Sequence, residues 1–339
     1  MASSKNTVSL RPSIENGPIV ENGIVRSPFI ICCSGRSGSS HLGRMLNAHP
    51  EISCLDEVGF ITDLVSDEGE TPTLEAFHSY LAKDRGFYSQ GLSLNKELPF
   101  QAAVNDFLCQ RKDPQQMKAI GIIAHFDFIR LKRLWPNARF IHLTRDGRDV
   151  AYSWLKEREL DQSAWFAAKR WQAAENAWDV VAGELDADEY LSLTYEDFVS
   201  DVEGTLHQLC DFIGIDYDAK MLDFCEEGSY FQMPDPKFIG LWRKQLSPPE
   251  VRLAEACISE QLVSRGYTLS RYQPLKVSPL KVKSLKLHQT WFRQWSKVKL
   301  LGPKLYSLDL LSRRVVKSTR LRASVQKRMN KKVDAQLLR

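Results

Sequence analysis

No apolar run in this chain is long enough to cross a bilayer, and the first 27 residues carry no apolar core of a signal peptide. Those two absences lead to the expectation of a cytoplasmic protein, with residues 1–27, polar and rich in Ser, Asn, Gly and Pro, as a flexible lead-in. The seven cysteines are scattered, odd in number and without a C-x-x-C pair, which excludes a disulfide ladder and a zinc site of the usual spacing. The usual nucleotide signatures are missing as well. Neither G-x-G-x-x-G nor G-x-x-x-x-G-K-[ST] occurs, so a dinucleotide fold and a magnesium-dependent triphosphate loop both lose their main support. Internal repeats are absent. Acidic residues almost vanish from the end of the chain: between Arg271 and Arg339 there are 19 Lys/Arg and 2 Asp/Glu. Since the whole chain carries +4 and this tail +17, the preceding residues carry −13. An acidic body with a basic tail is a two-part molecule.

What is there begins at Pro28. Phe29 to Cys33 is a short apolar run of the kind that forms a strand buried on both faces, with Cys32 and Cys33 as small core residues. Ser34-Gly35-Arg36-Ser37-Gly38 breaks it, and from Ser39 and Ser40 the apolar residues Leu42, Met45 and Leu46 fall at helical spacing. A strand, a glycine-containing turn and a helix start aim free backbone N–H groups and the positive end of a helix dipole at an anion. Arg36 adds a guanidinium fork, and Ser37, Ser39 and Ser40 add hydroxyl donors. The pattern reads as a phosphate or sulfate cradle without a metal; taken alone, it also fits an ordinary turn with an exposed arginine.

The rest of the chain repeats the rhythm of a parallel α/β fold. Ile52–Leu55 reads as a second strand delivering Asp56 and Glu57 to its end, followed by helices over 58–65, 74–81 and 101–109 in a region open to acceptor recognition. Residues 117–123 read as a strand and 126–134 as a helix. Arg139–Thr144 reads as another buried strand, ending in Arg145-Asp146-Gly147-Arg148-Asp149. Arg145 at that strand's end, Ser153 two helical turns later and Arg148 make a second anion-binding candidate; RDGRD on its own reads more readily as a solvated turn. A long aromatic-rich helix over 163–182, a strand over 190–193, a helix opening at Tyr195, a helix over 205–213, a basic and aromatic loop over 237–244 and a capped helix from Ser247 to about Ser264 complete the body.

With these residues in place the chain resembles the sulfotransferases that use 3′-phosphoadenosine 5′-phosphosulfate (PAPS), over Pro28 to about Tyr267. The resemblance is strongest to the tyrosylprotein sulfotransferases in GRSGSSHLGRMLNAHPEISCLDE, LWPNARFIHLTRDGRDVAYS and KFIGLWRKQLSPPE, and extends to bacterial sulfotransferases of diverse acceptors. It implies a P-loop-like parallel sheet flanked by helices over 28–270; the charge break leaves 271–339 as a basic, mostly helical extension. It further implies that Ser34, Gly35, Arg36, Ser37, Gly38, Ser39 and Ser40 hold the donor's 5′-phosphosulfate, and that Arg145 and Ser153 hold its 3′-phosphate. Tyr195, Arg243 and Lys244 follow as further donor contacts, with Trp242 over the adenine. The catalytic base implied is Glu57; by analogy with phosphoryl transfer, Arg36 and Lys118 are expected on the bridging oxygen, and His125, at the end of the strand that carries Lys118, is the runner-up base. The membrane anchor and the disulfide of the secretory enzymes are not matched here.

The expected activity is metal-independent transfer of a sulfuryl group from PAPS to a hydroxyl or amine of a glycan, glycolipid or tyrosyl/phenolic acceptor. The competing reading is a catalytically inactive PAPS- or anion-binding module; an ATP-dependent kinase ranks lower for want of the loop lysine. The tail mixes Lys and Arg with Leu, Val, Trp and Tyr, unlike a plain charge run. It is expected either to lie on an anionic membrane surface or to pack within the molecule or an oligomer, with nucleic acid the least favoured partner.

Overall fold

In the computed structural model the described residues are 20–21, 24–25, 27–56, 58–113, 115–156, 163–224, 233–314, 324–329 and 332. A two-stranded antiparallel ribbon, β1 (Val20–Glu21) and β2 (Ile24–Val25), precedes a five-stranded sheet. Its strands are β3 (Phe29–Cys33), β4 (Ile52–Leu55), β5 (Ala119–Ala124), β6 (Arg139–Thr144) and β7 (Tyr190–Thr194). They lie in the order β4-β5-β3-β6-β7, all parallel. The first strand of the fold is thus central, and its neighbours β5 and β6 arrive about 90 and 110 residues later, Phe29 standing opposite Gly121 and Arg139.

The unbroken apolar composition of β3 is explained by cover on both faces. Ile30 and Cys32 point into one layer, with Phe77, Phe107, Phe128 and Trp178. Phe29, Ile31 and Cys33 point into the other, with Leu42, Met45, Phe198 and Leu209. Alternate residues reaching opposite cores is the strand period of two. Gly121 in β5 lets the sheet close, because a Cβ there would lie 2.1 Å from the Phe29 ring.

Helices cover the faces. α1 (Ser39–Ala48) follows β3, and the stretch between β4 and β5 holds α2 (Gly59–Thr62), α3 (Leu74–Leu81), α4 (Arg85–Ser89) and α5 (Phe100–Cys109). The body is completed by α6 (Phe128–Leu134), α7 (Gly147–Lys156), α8 (Ala164–Ala182), α9 (Tyr195–Ser200), α10 (Val202–Ile213), α11 (Trp242–Gln245) and α12 (Pro248–Ser264). At the start of α12, Glu250 accepts from the Ser247 backbone N–H and hydroxyl, at 2.8 and 2.6 Å. The tail forms α13 (Pro279–Leu301) and α14 (Pro303–Arg314), joined at Gly302, with the Tyr306 hydroxyl donating to Gln294 Oε1 at 2.8 Å.

Four expectations shift. The helix expected over 58–65 is only the single turn of α2, and that over 126–134 starts at Phe128, after Asp127 in a left-handed conformation (φ 57°). The strand expected over 117–123 runs from Ala119 to Ala124, which leaves Lys118 outside it. Residues 237–244 are not a plain loop: a 3₁₀ turn (Pro236–Phe238) leads through Gly240 into α11. No helix among the described residues is long and apolar enough to cross a membrane.

Candidate active site

Parallel strands end together, so the loops after β3 and β6, neighbours in the sheet, meet at its carboxyl edge. In the first loop Arg36 (φ 76°) and Gly38 (φ 92°) are both left-handed. Such turns let successive backbone N–H groups converge on an anion, here at the start of the ten-residue α1. Only glycine fits at position 38: beyond its φ, a Cβ would meet the Tyr195 ring at 2.6 Å. The hydroxyls divide. Ser34 and Ser37, expected to face the ligand, are buried and bond each other at 2.8 Å, holding the loop's shape, while Ser40 is exposed.

The second loop supplies Arg145. Its Nη1 donates to the Arg36 carbonyl and its Nη2 to the Phe238 carbonyl, each at 3.0 Å, and its guanidinium lies 4.0 Å over the Tyr195 ring. Its buried Nε has no hydrogen-bond partner among the described residues. From the other side Arg36 Nε donates to Ser153 Oγ at 2.9 Å. Arg36 of the first loop, the Arg145–Ser153 pair of the second and Tyr195 therefore form one contiguous group, with the Trp154 ring against Gly35 beside it.

RDGRD is not a solvated turn. Arg148 is fully buried: its Nη2 donates to Asp146 at 2.7 Å, its Nη1 to Glu255 at 2.7 Å, and it stacks 3.8 Å over Trp242. It is a strut rather than an anion ligand. Burial opposes its charge, yet the Asp146 and Glu255 carboxylates raise its pKa above the ordinary arginine value. Asp149 accepts from the backbone N–H groups of Gly240 (2.6 Å) and Trp242 (2.8 Å), and the Trp242 indole donates to Asp146 at 3.0 Å. Trp242 is itself buried, with Arg148 and Arg243 (4.4 Å) over its ring, so it has no free face for an adenine; that expectation is corrected. What this network does is fix α11, from which Arg243 and Lys244 stand exposed. The clamp by Asp149 was not foreseen; an acidic residue directly after Arg148, facing a Gly-x-Trp stretch, was the available signal.

On the far side of the loop, β4 leads into Asp56 and β5 into His125. The two side chains stand 3.9 Å apart, His125 Nε2 to Asp56 Oδ1, while His125 Nδ1 lies 3.3 Å from the Cys33 carbonyl and 3.4 Å from its sulfur. Burial disfavours the imidazolium, but the Cys33 sulfur and the Asp56 carboxylate outweigh it and raise the His125 pKa to about 9. A cleft of about 660 Å³ runs along α1 here, lined by Ser40, Arg44, Asn47, Asp56, Gln90 and Phe224 among others. A larger groove of about 850 Å³ in the stretch before β5, walled by Leu74, His78, Phe87, Tyr88 and Leu94, holds none of the anion-binding residues.

One expected catalytic residue is not brought to this edge. Lys118 precedes β5, at the opposite end of the sheet, where it is exposed and ion-paired to Glu51 at 2.7 Å. The register of that strand removes it from the site. Glu57 lies outside the described residues. Among the described residues no group of His, Cys, Asp and Glu is arranged to hold a metal ion.

Comparison with known proteins agrees with this architecture. The chain is 24% identical over 216 residues to protein-tyrosine sulfotransferase A of Caenorhabditis elegans (58% of this chain, 52% of that protein). It is 23% identical over 198 residues to protein-tyrosine sulfotransferase 2 of Gallus gallus (55% and 51%). The matches span about half the length of these two curated relatives. Among solved structures, the sulfotransferase domain of the Synechococcus PCC 7002 olefin synthase shares the fold, with a TM-score of 0.51, 23% identity and coverage of 72% of this chain and 97% of that one. The sulfotransferase domain of the curacin biosynthetic pathway does so too, with a TM-score of 0.51, 16% identity and coverage of 73% and 100%. A family model described as "Sulfotransferase family" matches residues 28–219, more than half of the 339 residues, and on that ground the chain belongs to the sulfotransferase family.

Proposed function

We propose that the protein transfers a sulfuryl group from PAPS to a hydroxyl-bearing acceptor. The observation that carries this reading is the junction of the two loops. Arg145 presents a buried Nε without a partner among the described residues, and Arg36 reaches across to Ser153. A donor with phosphate at both ends of its nucleoside can span both loops; one with a 5′-phosphate alone leaves Arg145 and Ser153 without a ligand. The acceptor oxygen attacks sulfur, the bond from sulfur to the 5′-phosphate oxygen breaks, and the acceptor's proton passes to a base. Arg36 and the N-terminus of α1 offset the charge that develops on the departing phosphate oxygen. Lys118 has no part in this scheme.

The family pattern gives the proton to Glu57; His125, beside Asp56 on the same edge, is the second candidate. Their pH dependences differ. With Glu57 as the base, kcat/KM is flat above about pH 6, because a carboxylate is already ionised there. With His125 as the base, the neutral form is scarce at pH 7, so kcat/KM rises with pH and levels near its pKa of about 9. The expected result is the flat profile, with Glu57→Gln lowering kcat about 10²–10⁴-fold while 3′-phosphoadenosine 5′-phosphate (PAP) still binds. A rising profile abolished by His125→Gln moves the proton to His125. Transfer of labelled sulfate from PAPS to pooled peptide, phenolic and glycolipid acceptors tests the activity itself. Tight PAP binding without transfer to any pool leaves a donor-binding module instead.

A further inference from the structure

The inner and outer faces of α13 are differently employed. On one side Gln289 is buried and Val282, Leu285 and Phe292 are half-buried. On the opposite side Leu280, Leu287, Trp291 and Trp295 form a continuous stripe at spacings of 7, 4 and 4, each 51% to 79% exposed. Trp291 and Trp295 stack on each other in the open, ring planes 6° apart. Along both flanks of the stripe stand exposed cations, Lys281 and Lys299 on one side, Lys283 and Lys297 on the other. No acidic residue occurs between Arg271 and Leu308.

We propose that this face of α13 docks on an anionic lipid surface. Tryptophan and leucine at the centre of a helix face with lysines at its margins suit the boundary between acyl chains and head groups. The indoles enter the interface, and the lysine stems lie along apolar surface while their ammonium groups reach lipid phosphates. A second copy of the chain is a poor occupant, since apposing two such faces sets lysine against lysine on both margins. The acidic body does not close the stripe either, which remains exposed in the folded chain. Nothing in this assignment depends on the chemistry of the sulfotransferase site.

The test uses the full chain in co-sedimentation with phosphatidylcholine vesicles, with and without phosphatidylglycerol. The expected result is pelleting with the anionic vesicles only, weakened by added salt. W291A/W295A should bind at least about tenfold more weakly with an unchanged circular dichroism spectrum, and Lys283→Gln and Lys297→Gln should each cost about fivefold. Absence of pelleting, equal pelleting with neutral vesicles, or undiminished pelleting of W291A/W295A overturns the proposal. So does sedimentation velocity showing a dimer that W291A/W295A dissociates, which would assign the stripe to a protein interface.

Discussion

Arg145→Ala is expected to abolish the distinction between PAP and AMP. In the unmodified protein PAP should raise the melting temperature and AMP should not, because only PAP offers a 3′-phosphate to Arg145 and Ser153. A charge-assisted contact of this kind is worth roughly 1.5–3 kcal/mol, so calorimetry should record a loss of about 10- to 150-fold in PAP affinity and little change for AMP. Arg145 also donates to the carbonyls of Arg36 and Phe238, so the alanine variant loosens the loop junction as well. Arg145→Lys separates the two effects: it retains charge without the fork, and should keep part of the affinity while losing geometric selectivity. Equal stabilisation of the unmodified protein by AMP and PAP would refute the 3′-phosphate assignment.

Arg148→Met is expected to cause the largest loss of stability of any charge removal in the body. The guanidinium is fully buried between Asp146 and Glu255, and taking it away leaves a buried and a partly buried carboxylate facing methionine. Breaking such a pair from one side costs roughly 3–5 kcal/mol. At about 2–4 °C per kcal/mol for a domain of this size, the melting temperature should fall by roughly 6–20 °C. PAP affinity should fall with it, since Trp242, on which Arg148 stacks, anchors the helix bearing Arg243 and Lys244. Adding Glu255→Gln should restore part of the loss by removing one unpaired charge. A melting temperature within about 2 °C of the parent would show that the strut is dispensable.

The sheet was legible because its strands are buried on both faces and read as short unbroken apolar runs, as in Phe29–Cys33 and Arg139–Thr144. The loop after β3 was legible because its strand, glycine-containing turn and helix start were joined by a second anchor at Arg145 and Ser153; alone, the turn also fitted an ordinary surface bend. What the sequence concealed was which charges face inward. Arg145 and Arg148 stand three residues apart in one motif, and only the fold separates the guanidinium that bridges the Arg36 and Phe238 carbonyls from the one locked between Asp146 and Glu255. Trp242 was expected over the adenine from the family resemblance, but Arg148 and Arg243 lie over its ring. Lys118 was misplaced by strand register: its strand begins at Ala119, at the end of the sheet away from the site. Asp56 and His125 meet only through the pairing of β4 with β5, a juxtaposition that linear spacing does not carry.

The pairing of β3 with β6 has a kinetic consequence. Arg36 and Arg145 come together only after closure of a loop of about 110 residues, with the whole stretch holding β4 and β5 threaded between. Such non-local parallel pairing is formed late and slowly. A chain still short of that closure has no nucleotide site, so ligand cannot accelerate the early search. PAP should therefore leave the refolding rate almost unchanged and slow unfolding, a division readable from the two arms of a denaturant chevron. A refolding arm that quickens with PAP would mean that the two loops meet before the rate-limiting step. On the expected course, the nucleotide acts on this protein as a lock on the finished fold, extending its lifetime rather than hastening its birth.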